Sequence, residues 1–567
     1  MAKNNLMRGA LYKYLPVTIV ISLTPTLAIF ANMLLTGYWM NDGDVMAMSA
    51  ASFLIIPLSM SGGVLAAGGS IIFSRYMASG EKEMAVNTFN MMMVAAIIIG
   101  VIFTAICSIV SLYIYLDCGS SLMNYLSEEY ILALGLSAIP LMILQVIIMF
   151  LRVDRDRKLV IVCFLLFISS DVLAVRLSVD NGFGLFGVGL SIGVASIIGL
   201  LLLPIHYRID DRYMHFKRPR FLKNELGKLY RTGLRSAVGH ACSSLRYYFL
   251  NVFLITVGYG SVLCLTAQTT VLNFMIPLFT GIAIMSATLC GAFYSQGDRR
   301  AMRDSLTEIL RMGLMISTIL MVAVLLLSKF ITGIILNDGG DYQSSLSCLR
   351  WFALSIPTTT VCMTFIYLYQ STDRKRLSTA LTIIRGVLMV MVTTFALQPI
   401  IGQAAVWVSF LLADASMMAV VVAVSWHETG RFPRSLDDLM MLKDDRYGTP
   451  SIFEGSVHSD TGGLEALNER IRGSMSGHSF DSRIVDVVIE KIDAIIRALT
   501  LTGYSDRRKH QIDILIRNEK GLEVTIRDDA DVVTKMPEDV SESSIFGINA
   551  RHFRLEKMAS ARDERMH

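Results

Sequence analysis

Ionisable side chains set inside long apolar runs are the residues of this chain that could do chemistry. Asp171, Asp414, Arg246 and Arg385 each stand inside a long, mainly apolar stretch. A bare charge in hydrocarbon is costly, so each marks an ion or solute path or a paired contact. Burial raises a carboxyl pKa, which makes Asp171 and Asp414 candidate proton-binding sites whose occupancy could be coupled to a solute. Arg246, with His240 nearby, could receive an anionic or polar solute, or pair across helices. The uncharged polar residues Asn32, Gln145, Asn251, Gln268 and Asn273 are candidate cavity lining, with ordinary interhelical hydrogen bonding as the plainer alternative.

These groups need a frame that bends and slides. Pro16, Pro25, Pro57, Pro140, Pro277 and Pro357 lie in or near the apolar runs, where each removes a helix hydrogen bond and favours a hinge. Small residues at Ser61-Gly62-Gly63, Gly68-Gly69 and Gly281 permit close helix approach, in a fixed or a moving interface.

The runs themselves predict twelve transmembrane helices near 14–38, 47–74, 87–115, 129–152, 160–178, 184–207, 234–257, 262–294, 304–328, 347–370, 378–397 and 402–426. Each is long enough, at about 1.5 Å per residue, to cross about 30 Å of hydrocarbon. The fifth closes on Arg176 and the eleventh contains Arg385. Composition agrees: 53% of the 567 residues are hydrophobic and only 17% charged, values that would be odd for a soluble protein of this size. The amino-terminal MAKNNLMRGALYKY and the long apolar run after it read as a first span and not a cleaved signal. The eight cysteines form no CxxC pair, so neither a disulfide framework nor a zinc site is indicated.

The body repeats. PLMILQVIIMFLRVDRDRK at 140–158 is matched 217 positions later by PTTTVCMTFIYLYQSTDRK at 357–375, and the same offset carries Gly80-Glu81-Lys82 onto Gly297-Asp298-Arg299. Two related halves can exchange roles across a central cavity, as in carriers. Basic residues cluster on alternate loops (Arg75 and Lys82; Arg155, Arg157 and Lys158; Arg299, Arg300 and Arg303; Arg374, Lys375 and Arg376), while acidic residues occupy the loops between. That alternation predicts both termini in the cytoplasm of a multi-pass plasma-membrane protein. The expected fold class is an all-α polytopic membrane protein with two pseudo-symmetric six-helix bundles plus a small cytoplasmic α+β domain. The expected units are a first lobe over 1–207, a connector over 208–233, a second lobe over 234–427, a linker over 428–480 and the α+β domain over 481–567. The basic, aromatic connector is expected to rest on anionic lipid headgroups and not on nucleic acid.

In the tail, SRIVDVVIEKIDAIIRAL at 482–499 places Ile484, Val487, Val488, Ile492, Ile495, Ile496 and Leu499 at helical spacing. Residues 511–516 and 522–526 alternate as strands around a turn at 518–521, and 545–558 is read as a return to helix.

With YLPVTIVISL at 14–23, NMLLTGYWM at 32–40, RYMASGEKEMA at 75–85, FLRVDRDRKL at 150–159, GVGLSIGVAS at 187–196 and FMIPLFTGIAIMSATLCGAFYSQGDRRAM at 274–302, the body resembles the multidrug and toxic compound extrusion (MATE) transporters over about residues 10–427. The wider group holds polysaccharide and lipid-linked-oligosaccharide exporters. The resemblance implies two six-helix lobes around a V-shaped cavity and export of small organic, often cationic and amphipathic, solutes against H⁺ or Na⁺. Where such families usually carry a first-span aspartate this chain has Asn32, an amide that cannot titrate, so Asp171 becomes the leading coupling residue. The tail resembles the anti-sigma-factor type of histidine-kinase-like ATPase. Ala494 stands where the Mg²⁺-associated asparagine is expected and Asp528-Asp529-Ala530 replaces the D-x-G turn, which implies a degenerate regulatory domain with a cytoplasmic protein partner and no ATP. No cofactor or metal is expected, and no nucleophile–base set or phosphate loop suggests an enzyme. Two alternatives stand beside secondary efflux: export of a lipid-linked or envelope precursor, and a transport-deficient sensor that signals through the tail.

Overall fold

The structure of the chain is a computed structural model. It describes residues 6, 9, 11–20, 39–40, 52–117, 122–154, 156–206, 214–220, 238, 239, 242, 243, 245, 246, 249, 250, 253, 254, 259–335, 342–402, 404–442, 451–458, 464–478, 480–504, 510–518, 521–530, 540–545 and 548–555; some side chains within these ranges, chiefly between 52 and 67 and between 259 and 274, are also excluded.

Apolar composition with scattered polar turns yields long helices. Residues 11–20 form α1. It is followed by α2 (Ser52–Ala78), α3 (Lys82–Asp117), α4 (Leu122–Val153), α5 (Arg157–Asp180) and α6 (Gly184–Leu200) in the first half. The second half holds α7 (Tyr259–Ser295), α8 (Arg299–Ile335), α9 (Tyr342–Ser371), α10 (Lys375–Ile383), α11 (Met389–Ile401) and α12 (Ala404–Thr429). Among the described residues nine helices are long and apolar enough to cross a membrane. They fall on the third to sixth and eighth to twelfth expected spans. The second expected span is helical over its described part, as α2, and the first and seventh include many positions outside the described residues.

Burial separates central helices from peripheral ones. In α7 the apolar window is 83% buried, in α8 only 17%. Ile98, Ile102, Ile109 and Leu116 of α3 and Ile319, Leu326 and Phe330 of α8 project outward. Outward-facing aliphatic side chains on long helices are what a lipid-facing rim requires. Pro140, Pro277 and Pro357 lie inside α4, α7 and α9.

The repeat survives as backbone geometry. Gly80 and Gly297 have φ of +74° and +68°. In both turns the glycine N–H donates to the residue three back (Met77, Tyr294), and the next N–H donates to the residue five back (Tyr76, Phe293). These are helix terminations through a left-handed residue, a conformation glycine adopts without a Cβ penalty.

Past α12 the chain does not run as a linker. Helix α13 (Leu436–Met440) starts with a capping box in which Ser435 Oγ accepts from Asp438 N and the Asp438 carboxylate accepts from Ser435 N. It docks on the bundle: the Tyr369 hydroxyl donates to Leu439 O at 2.7 Å, and Ser425 Oγ donates to Asp438 O at 2.9 Å. Strand β1 (Phe453–His458) and helix α14 (Leu464–Gly477), also within the expected linker, belong to the tail domain. With α15 (Ser482–Ala498), β2 (Gln511–Asn518), β3 (Leu522–Asp528), β4 (Ser541–Ile545) and β5 (Ile548–Leu555) they complete it.

The sheet is antiparallel throughout, in the order β1-β2-β3-β5-β4. Ile512, Ile514 and Ile516 of β2, Val524 and Ile526 of β3 and Phe553 of β5 share one core with Leu467, Ile471 and Met475 of α14 and Val485, Val488, Ile492, Ile495 and Ile496 of α15. Two expectations are corrected. The buried stripe of α15 runs through Val485 and Ile489, leaving Val487 exposed. The expected final helix is strand, because Ile548–Leu555 completes the pairing of β3 and β4.

Candidate functional site

Second-lobe helices enclose a cavity of about 130 Å³, lined among others by Arg246, Phe279, Thr359, Tyr367, Arg385 and Asp414. That volume holds several waters or a small organic group. The charged cluster around Asp414 comes from three helical segments. On α9, Pro357 is followed by Thr358 and Thr359, whose hydroxyls donate to Asp414 Oδ2 at 2.9 and 2.7 Å. On α12, Asp414 is buried, and its Oδ1 receives Arg385 Nε at 2.5 Å. Between α10 and α11 the helix widens into a π turn, Ile384–Leu388, which carries Arg385. Such turns recur at functional positions because the extra residue re-aims one side chain. Arg385 also donates to Thr359 Oγ1 at 3.0 Å. Arg246 lies over the Phe410 ring, 5.1 Å from its centroid.

The lining thus carries two guanidiniums and one carboxylate among hydroxyls and aromatic faces. It can hydrogen-bond a polar solute and stack an apolar one. An acidic group on the solute could also compete with Asp414 for Arg385.

The structure sorts the expected residues into two places. Arg246, Asp414 and Arg385 come together here. Asp171 lies apart in the first lobe, fully buried on α5, where Ser191 Oγ of α6 donates to its Oδ1 at 2.7 Å. Gln145 is on α4 against Gly62, where an added Cβ would collide with its amide. Gln268 is buried on α7 beside Cys348 and does not line the cavity. Asn32, His240, Asn251 and Pro25 lie outside the described residues, as do the side chains of Asn273 and Pro57. Pro16 is exposed on α1. The sequence reading missed Thr358 and Thr359. Their signal was a run of three threonines directly after Pro357 in an apolar span, where hydroxyls can serve a neighbouring charge.

The lobes meet along α1, α2 and α7, out to the end of the body that carries the tail domain. A Cβ on Gly281 of α7 would come within 3.0 Å of the Ile19 backbone of α1. Ser74 Oγ and Thr288 O are 3.3 Å apart. At the helix ends Arg75 of α2 donates to Ser371 O and stands 3.4 Å from Asp373. Ser295 Oγ donates back to Arg75 O at 3.2 Å.

In the tail, Asp528 is fully buried and already engaged. It pairs with Arg551 and receives Ala530 N at 2.8 Å and Asn549 Nδ2 at 3.2 Å. Among the described residues no cluster of three or more His, Cys, Asp or Glu could hold a metal ion.

Comparison with known proteins bears on the body. Residues 236–396 match the MatE family model. A MATE solved in its bent conformation superposes with a TM-score of 0.66 at 18% identity, covering 75% of this chain and 95% of its own. An outward-facing multidrug resistance MATE family transporter of the MOP superfamily gives 0.65 at 17%, over 73% and 94%. A MOP superfamily transporter from Pyrococcus furiosus, for which a binding pocket of reverse polarity was taken to suggest a different function, gives 0.66 at 18%, over 75% and 96%. No curated protein matches.

Proposed function

We propose that this chain, with a MatE match across much of its second half and the MATE fold in its membrane body, is a secondary transporter that moves small organic solutes across the plasma membrane by alternating access of its two lobes. The observation that carries this reading is the second-lobe cavity, a wettable chamber that brings Arg246, Arg385 and Asp414 together on one lining. Polar lining at that depth has a cost that ordinary packing does not explain. Arg246 and the Arg385–Asp414 pair are assigned to solute contact. Asp171, a buried carboxylate that accepts from Ser191, is assigned to coupling with H⁺ or Na⁺. This is a carrier and not an enzyme, with both termini and the tail on the cytoplasmic side.

The solute is read as amphipathic. A cationic solute is what the family resemblance implies. A second reading, export of an anionic lipid-linked or envelope precursor, is favoured by one observation, the two guanidiniums against one carboxylate in the lining. Flux in proteoliposomes under an imposed pH or Na⁺ gradient decides both points, using cationic dyes in one arm and anionic amphiphiles in the other. Flux of either class supports the carrier and identifies the charge. No gradient-linked flux of either class, with the protein folded and inserted, leaves the sensor alternative.

The tail is assigned a regulatory, partner-binding role without nucleotide. Its support is that Asp528, the first residue of the degenerate turn, already spends its carboxylate on Arg551, Ala530 and Asn549.

A further inference from the structure

The tail sheet has two faces and both are used. Alternation along β2 and β3 sends Ile512, Ile514, Ile516, Val524 and Ile526 toward α14 and α15, so Arg517, Thr525 and Arg527 point the opposite way. That second face lies on the membrane body. Ile548, at the start of β5, is buried in the same apolar cluster as the body helices. Between the start of α8 and strands β1, β2 and β3, where Asp298, Arg300, Glu454, Asp513 and Arg527 line the seam, only about 20 Å³ is left, room for about one water. Strand β4 lies against α2 of the first lobe, whereas Arg517 and Arg527 reach the α7–α8 turn of the second. The tail therefore touches both lobes.

The contacts converge on Gln296, Gly297 and Asp298. Arg527 forms an ion pair with Asp298 in which both side chains are buried. Its guanidinium donates to Gln296 Oε1 at 3.0 Å and lies 5.0 Å from the centroid of the Phe293 ring. Arg517 donates to the Gln296 carbonyl at 2.9 Å. The other end of the same amide closes the lobes: Gln296 Nε2 donates to Ala78 O, at the end of α2, at 3.1 Å. Only one orientation of the amide satisfies both neighbours, since Arg527 can only donate and a carbonyl can only accept. Gln296 is thus held at its oxygen by the tail and at its nitrogen by the opposite lobe. Separation of the lobes on this face must break the Gln296–Ala78 and Ser295–Arg75 bonds.

We propose that the tail domain is a latch that favours the state in which the lobes are joined on the tail-side face, and that it acts through Gln296. By linkage, a ligand or partner that competes for the Arg517–Arg527 face of the sheet shifts the lobes toward opening on that side, and opening on that side weakens tail docking by the same factor. The latch does not depend on which solute is carried, or on transport at all.

Hydrogen exchange on the full chain in lipid nanodiscs tests it. Arg527→Gln removes the charge that holds Asp298 and the donor to Gln296. The expected result is exchange about tenfold or more faster at residues 74–80 and 366–372, the lobe-to-lobe ends, while α3 and α4 keep their protection. The charge swap Arg527→Asp with Asp298→Arg should restore the slow exchange. Gln296→Leu leaves the Arg527–Asp298 pair in place and removes only the bridge. It should speed exchange at 74–80 while β2 and β3 stay protected, and it decides the matter if Arg527→Gln fails to fold. Faster exchange confined to β2, β3 and residues 296–300 in Arg527→Gln, or no change at 74–80 in Gln296→Leu, overturns the latch. Because exchange and not flux is read, its failure and the failure of the transport reading are separate results.

Discussion

Arg385 Nε stands 2.5 Å from Asp414 Oδ1 in the wall of the second-lobe cavity, joining the π turn after α10 to the middle of α12. Two expected features, an acid in the twelfth span and a base in the eleventh, are one feature in the folded chain. Each supplies the other's counter-charge.

Removing one partner strands the other. Asp414→Asn leaves the Arg385 guanidinium beside an amide, and the expected loss is about 3 kcal/mol of stability together with loss of solute flux. Arg385→Met with Asp414→Leu recovers most of the stability, since apolar residues of similar volume replace such pairs without penalty, but not the flux. Thermal unfolding in detergent and proteoliposome flux, measured side by side, separate the two effects. Flux in the double variant would remove the pair from the solute path.

Asp171→Asn keeps the hydrogen bond from Ser191 but cannot titrate. Gradient-driven flux should fall to background while downhill exchange continues. Unchanged gradient-driven flux would place coupling elsewhere.

Gly80 and Gly297 occupy equivalent turns with different surroundings. A Cβ at Gly80 meets nothing within 4 Å, whereas at Gly297 it falls 2.5 Å from the Arg517 guanidinium. Gly80→Ala should cost about 1–2 kcal/mol, the left-handed backbone penalty alone. Gly297→Ala adds displacement of Arg517, so β2 should lose exchange protection in that variant and keep it in Gly80→Ala.

Protonation of His552 opposes the docked tail. Burial, followed by the charges of Arg527 and Arg517, pushes its imidazole down to about 4 from an ordinary 6.5. Between those values the unfolded or released state binds a proton that the docked state does not, so stability rises with pH across the window and is level above it. The full effect is about 3 kcal/mol on going from pH 7 to below 4. Burial raises the Asp298 carboxyl, but Arg527 outweighs it and holds the group below its ordinary 3.8. Its contribution is therefore present above 3.8 and lost only as pH falls through the lower folded value. Stability measured between pH 7.5 and 4.5 should flatten in His552→Gln. An unchanged slope would show that another group carries it.

ATP with Mg²⁺ should leave the melting temperature of the full chain unchanged at millimolar concentration. Binding with a dissociation constant one hundred-fold below the ligand concentration would stabilise by about 2.7 kcal/mol, which such a measurement resolves, and that outcome would reverse the reading of the tail.

Helices and the repeat were legible because their causes are local. Apolar runs of membrane length, the prolines within them, and a glycine needed where a helix ends in a left-handed residue all act over a few positions. The two-residue alternation of β2 and β3 was legible for the same reason. The last strand was not: nothing in Ile548–Leu555 forbids helix, and its state follows from the β3 and β4 edges that pair with it. Residues 436–477 resembled a linker because their short elements hold their place by docking, α13 on the bundle and β1 on β2.

By itself, then, the amino-acid order determined a membrane body made of two related halves, the positions of most spans, the intramembrane charges at Asp171, Arg246, Arg385 and Asp414, and an α+β tail. The tertiary structure alone decided which of those charges meet, that Thr358 and Thr359 serve Asp414, and that Arg517 and Arg527 close on Gln296 and Asp298 more than two hundred residues away. The physical reason is range. Hydrophobicity and backbone conformation are set within a few residues, whereas a hydrogen bond or ion pair between distant segments exists only once packing has brought its two ends to about 3 Å.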